Sequence, residues 1–147
     1  MALEVRHLLP ADKPQWLPLW RGYLVFYETT FDAAQADLTF ARFLDPSEPM
    51  FALVAEDASG ALVGVVHCVL HRGTWSVGDF CYLEDLFVVP SARGQDIGRA
   101  LIEAVYARAD AIGCAPVYWL THESNQTARH LYDRIATRSG FIHYRHG

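Results

Sequence analysis

The stretch YLEDLFVVPSARGQDIGRAL, from Tyr82 to Leu101, decides the reading of the fold. Leu83 to Val89 is rich in β-branched and aromatic residues and stops at Pro90, which has no N–H to continue a central ladder, so it reads as a buried strand. The turn from Ser91 to Gly98 carries glycines where the backbone must come close to something else. Ile97, Leu101, Ile102 and Val105 then recur at helical spacing. A helix start has N–H groups with no partner inside the helix. With a basic residue before it and small residues within it, such a start suits a phosphate group.

Working outward, Leu3 to Leu8 alternates apolar and polar residues and predicts a first strand ending before Pro10. Trp16, Leu19, Trp20, Tyr23 and Phe26/Tyr27 mark the apolar face of a helix expected from Pro10 to about Tyr27, with Pro18 an awkward interior residue. Asp32 is placed to cap a helix over Ala33 to Leu44. Met50 to Glu56 and Leu62 to His71 flank the turn Asp57-Ala58-Ser59-Gly60 and predict a hairpin. After the helix that follows the turn, Gly113 supplies a stop. Pro116 to Thr121 predicts another strand, Asn125 to Ala136 an amphipathic helix, and Phe141 to Arg145 a last strand. The order β-α-α-β-β-β-α-β-α-β implies an α/β (α+β) chain with one mixed central sheet and helices on both faces.

The chain has 147 residues, 52% apolar and 20% charged, which fits one globular domain over 1–147 and excludes a disordered chain. No apolar run reaches the roughly 18 residues of a membrane span, and the N-terminus lacks the pattern of a signal peptide. Three cysteines, Cys68, Cys81 and Cys114, without a CxxC, suit a reducing compartment, so a cytoplasmic location is expected. A net charge of −5 and the lack of a Lys/Arg cluster argue against nucleic acid as partner. Seven histidines form no HExxH or similar set, so no metal site is expected.

Leu86-Phe87-Val88-Val89-Pro90 followed by Arg93-Gly94-Gln95-Asp96-Ile97-Gly98 resembles the acetyl-CoA binding motif of the GCN5-related N-acetyltransferase (GNAT) superfamily, with Asp96 standing where the family pattern has its middle glycine. A second motif, Asn125-Gln126-Thr127-Ala128-Arg129-His130-Leu131-Tyr132, matches the family's Asn-x-x-Ala-x-x-Leu-Tyr pattern. The likeness extends to Tyr82-Leu83-Glu84-Asp85. It looks closest to the polyamine and the fungal-type histone/D-amino-acid acetyltransferase branches.

The resemblance implies acetyl-CoA as co-substrate. Backbone groups of Leu86, Phe87 and Val88 would pair with its pantetheine arm. Amides from Gly94 through Gln95, Asp96, Ile97 and Gly98 to Arg99 would hold the pyrophosphate, with Arg93 adding charge. It implies Tyr132 as proton donor to the leaving thiolate and Glu84 as base toward the acceptor amine. Asp85, expected on the opposite strand face from Glu84, Glu28 and His122 are the remaining candidates for acceptor contacts. Several readings stay open: Asn125 caps a helix or binds pantetheine, Tyr132 is a core tyrosine or a catalyst, and Glu84 is a base or the partner of an arginine. A small amine or amino acid is the expected acceptor, with a protein lysine or N-terminus, or a non-catalytic acyl-CoA-binding module, as alternatives. Family habit adds an expected homodimer.

Overall fold

The computed structural model describes residues 3–147. Five strands pair in the order in which they occur: β1 (Glu4–His7), β2 (Met50–Glu56), β3 (Leu62–His71), β4 (Phe80–Val88) and β5 (Val117–Tyr118). The first three pairings are antiparallel and the last is parallel, so the sheet is mixed as expected. The Asp57–Gly60 turn closes the β2–β3 hairpin; Asp57 accepts from the N–H of Ser59 and Ala61, and Gly60 takes a positive φ of 87°.

Helices cover both faces because β2 carries an apolar set on each. Phe51, Leu53 and Ala55 face α3 (Ile97–Ile112), joined there by Val66, Cys68, Cys81 and Leu83 from the neighbouring strands. Ala52 and Val54 face α1 (Lys13–Phe26) and α2 (Ala33–Leu44), with Trp16, Leu19 and Phe40. Ile97, Leu101, Ile102 and Val105 of α3 are all buried, each worth about 1.5–3 kcal/mol of hydrophobic stabilisation. Close approach is set at two glycines. Gly64 of β3 leaves room for Leu101 and Ile97, and Gly22 of α1 lies against the Phe87 ring, where an added Cβ would come within 2.8 Å.

The expected first helix divides. Pro10–Asp12 form a 3-10 turn, α1 begins at Lys13 and runs through Pro18, and Asp12 closes the corner by accepting from Arg6 at 2.8 and 2.9 Å. The strand expected from Pro116 to Thr121 shortens to Val117–Tyr118, because Trp119 leaves the ladder to pack against Tyr106 and edge-on against Tyr132. The last expected strand, Phe141 to Arg145, does not form. A strand exists only through pairing, and the two-residue β5 offers it no edge; Phe141, Ile142 and Tyr144 stand exposed. α4 (Gln126–Ile135) lies beside α3, tied by the Tyr106 hydroxyl donating to the Ile135 carbonyl at 2.9 Å.

Candidate active site

The site begins with a split in the sheet. β4 pairs with β5 only at Cys81–Val117 and Tyr82–Tyr118. Beyond that point β3 holds β4 from Leu83 to Val88 on one side, while among the described residues no strand pairs with its other side. Interior sheet edges with free N–H and C=O groups need a partner, and Leu86 and Val88 turn theirs to this one. Phe87, expected there too, does not, because Val89 N–H bonds the Val63 carbonyl at 2.9 Å and the antiparallel alternation gives the Phe87 groups to Val65 of β3. The Val88 carbonyl already accepts from Arg93 Nε at 3.1 Å, and the Arg93 guanidinium lies 5.7 Å from the Phe87 ring centre and 5.8 Å from that of Phe26. Arg93 is thereby held at the mouth of the turn.

The turn itself takes two left-handed residues, Gly94 at φ 83° and Asp96 at φ 60°. The second explains why glycine suits the Asp96 position; aspartate is among the few side chains that tolerate it. Asp96 sits at the N-cap of α3 but makes no side-chain cap bond. The first intrahelical bond is from Ala100 N–H to its carbonyl at 3.0 Å, so the N–H groups of Ile97, Gly98 and Arg99 face out of the helix end. A Cβ on Gly94 would meet nothing within 4 Å, and one on Gly98 only Leu86 and Val88 at 3.9 and 4.0 Å. The packing of the fold does not require glycine at 98, and the backbone there is bare. Gln95 lines a separate cleft of about 180 Å³ behind the turn, with Ile97, Ser91 and Asp57.

On the other side of the gap, β4 bulges. Leu83 registers with Cys68 and Asp85 with His67, so Glu84 is an extra residue without a partner in β3. Before the bulge Cys81 and Leu83 face α3; after it Phe87 faces α1 and α2, and Asp85 shares that face, buried against His67. The Glu84 side chain is exposed, yet its carboxyl is pushed up from the ordinary value, chiefly by desolvation and next by the charge of Asp85, with His67 acting in the opposite sense. Tyr23 of α1 and Tyr27, just past its C-terminal end, are raised by burial first and by Asp85 second. Neither tyrosine was singled out from the sequence as a site residue; both read as the apolar face of a helix.

A cleft of about 290 Å³ opens at the end of α1, lined by Phe26, Tyr27, Glu28, His122, Ser124 and Asn125. Thus Glu28 and His122 do line one cavity, and the Tyr27 and His122 rings lie 6.3 Å apart. Glu28 adopts φ 54°, which turns the chain sharply out of α1. Asn125 is a cap, accepting from Ala128 N–H at 3.4 Å, and it also lines the cleft. Tyr132 is half-buried with its ring edge-on to Trp119 at 5.2 Å; burial raises its hydroxyl, and Tyr27 adds to that rise. Among the described residues no group of three or more His, Cys, Asp or Glu could hold a metal ion.

The acetyltransferase (GNAT) family model matches residues 14–136. The chain belongs to the GNAT family. A GNAT relative, the D-amino-acid N-acetyltransferase HPA3 of Saccharomyces cerevisiae, is 37% identical over 144 residues, which cover 97% of this chain and 89% of the relative. The fold is shared with two solved structures. One is the ribosomal-protein-alanine N-acetyltransferase from Brucella melitensis biovar Abortus 2308, with TM-score 0.82 and 20% identity over 100% of this chain and 99% of that one. The other is AAC(6')-Iy in complex with the bisubstrate analogue CoA-S-monomethyl-acetylneamine, with TM-score 0.85 and 15% identity at the same coverage.

As a GNAT protein the chain is an acetyl-CoA-dependent acyltransferase. Its residues fit that co-substrate: the unpaired edge of β4, the bare glycine turn and the open N-terminus of α3 follow one another along the chain. No helix among the described residues is long and apolar enough to cross a membrane.

Proposed function

We propose that this GNAT protein acetylates a small primary amine by direct attack within a ternary complex. The observation that carries the reading is the charge of the acceptor side. Glu84 and Asp85 lie side by side on β4 and both act on Tyr23, Asp85 also acts on Tyr27, and Tyr27 lines with Glu28 a cleft that has no Lys or Arg in its wall. Such a surface favours a cationic acceptor and repels a carboxylate. Acetyl-CoA supplies the activated acyl group. It is held by the β4 edge at Leu86 and Val88, by the N–H groups between Gly94 and Arg99, and by the charge of Arg93.

Glu84 takes the proton from the acceptor ammonium, directly or through water, and an elevated proton affinity suits that task near neutral pH. The Tyr132 hydroxyl gives a proton to the departing sulfur; a raised tyrosine keeps that proton until it is needed. His122 and Glu28 shape the mouth of the cleft.

A second reading, an amino-acid acceptor, is favoured by the likeness to HPA3, and His122 is then the group to meet the acceptor carboxylate. Thiol release on a panel of polyamines, monoamines, D- and L-amino acids and lysine peptides separates the readings. Turnover on polyamines that exceeds turnover on amino acids supports the first. The reverse order supports the second, and turnover on peptides alone overturns both.

A further inference from the structure

His67 stands in the middle of β3, 1% exposed, with ring centres of Phe43 at 4.4 Å, Trp20 at 5.1 Å and Trp16 at 5.8 Å around it. An imidazole in such a cage must satisfy both nitrogens from within the protein. Trp16 Nε1 donates to His67 Nε2 at 3.0 Å, and His67 Nδ1 lies 2.9 Å from Asp85 Oδ2. An indole N–H can only donate. Nε2 therefore accepts, the ring proton sits on Nδ1, and His67 donates to Asp85. A second proton on Nε2 would face the indole N–H with no acceptor. The stack Trp16–Trp20–Tyr23, with ring centres 6.1 and 5.4 Å apart and planes within 11° and 10°, fixes the indole on α1.

We propose that Trp16 and His67 are positioning residues that hold the Asp85 carboxylate as a fixed negative charge beside Glu84, and that this charge orients the acceptor ammonium for proton transfer to Glu84. The bulge makes this possible. With regular alternation Asp85 would share a face with Leu83 and point at α3, whereas here it registers with His67 beneath α1. Tyr23 of α1, Tyr27 just past its C-terminal end, His67 and Cys68 of β3 and Tyr82 of β4 are the titratable groups around the Glu84–Asp85 pair. Asp85 raises four of them, Tyr23, Tyr27, Tyr82 and Cys68, as well as Glu84, a reach expected of one charge in a partly desolvated setting. The inference rests on Glu84 as base, and it adds Trp16 and His67, which touch neither substrate.

The test is the pH dependence of kcat/KM for the best amine of the panel, in the parent protein and in Asp85→Asn, Trp16→Phe, His67→Asn, His67→Leu and Glu84→Gln, with the thermal midpoint of each. Asp85→Asn is expected to raise the acceptor KM about tenfold or more, the scale of a lost desolvated charge contact, with KM for acetyl-CoA unchanged. Its acid limb should move to lower pH by roughly half a unit or more. Trp16→Phe should move the limb the same way, because Nε2 becomes free to take a proton that cancels the Asp85 charge. His67→Asn, which keeps an N–H near the Nδ1 position, should stay closer to the parent than His67→Leu.

If Asp85→Asn and Trp16→Phe lower only kcat or the midpoint and leave the limb and acceptor KM in place, the positioning role is overturned while Glu84 as base stands. An acid limb that survives Glu84→Gln overturns the base assignment, and the proposal with it. Long-range ¹H–¹⁵N correlation at neutral pH gives a readout independent of turnover: His67 is expected as the Nδ1–H tautomer, and an Nε2–H tautomer overturns the proposal.

Discussion

At the scale of single residues, Tyr132 and Gly98 separate chemistry from folding. Tyr132 packs on Trp119 through its ring, so Tyr132→Phe keeps that contact and removes only the hydroxyl. We expect kcat to fall about 100-fold or more, the usual worth of a positioned proton donor, with the thermal midpoint nearly unchanged; parallel turnover and melting measurements check both. Gly98→Ala meets only ordinary contacts at 3.9 and 4.0 Å. It should leave stability equal or slightly raised, by up to about 1 kcal/mol from helix propensity, while weakening acetyl-CoA binding measured by calorimetry. The two motif residues were legible because their types and spacing are specific. Glu84 was legible as a carboxylate on the right strand, but its raised proton affinity was not, since that depends on what surrounds it in space.

At the scale of elements, capping and corner contacts carry identifiable shares of stability. Asp32 accepts from the N–H of Ala34 at 2.9 Å and of Gln35 at 3.2 Å at the start of α2. Asp32→Ala should cost about 1 kcal/mol in urea unfolding without changing turnover, because Asp32 serves α2 as its cap. The corner between β1 and α1 depends on Asp12, whose carboxyl Arg6 holds below its ordinary 3.8 by hydrogen bonding, against the opposing effect of burial. A group depressed in the folded state adds stability above its unfolded value and loses it as the pH falls through the folded value. Asp12→Ala should therefore destabilise by about 2 kcal/mol at pH 7, with the difference from the parent narrowing below pH 4. Element order was readable from periodicity, capping residues and turn chemistry. The bulge at Glu84 was not: Glu84 and Asp85 look like any alternating pair, and only the register against Cys68 and His67 reveals the extra residue.

At the scale of the whole molecule, acetyl-CoA binding is expected to raise the stability of the fold. At about a hundred times its Kd the ligand should stabilise the protein by roughly 2.7 kcal/mol, and for a chain of this length the melting midpoint should rise by roughly 8 °C. An unchanged midpoint at millimolar acetyl-CoA would mean that Asp96 at the turn is not tolerated by the pyrophosphate. The sequence alone determined the mixed sheet, helices on both faces, the glycine turn and the helix from Asn125 to about Ala136, because hydrophobic period, helix caps and turn residues are local properties. It overstated the strands after α3, since a strand needs an edge to pair with: Pro116–Thr121 kept two residues, and Phe141–Arg145 found none. Only the tertiary structure decided which carboxylates, tyrosines and histidines meet. Trp16 and Tyr23 come from α1, Tyr27 from the residue that caps it, His67 from β3 and Asp85 from a strand whose facing a bulge reverses. Such meetings join residues far apart in the chain, and no local pattern encodes them.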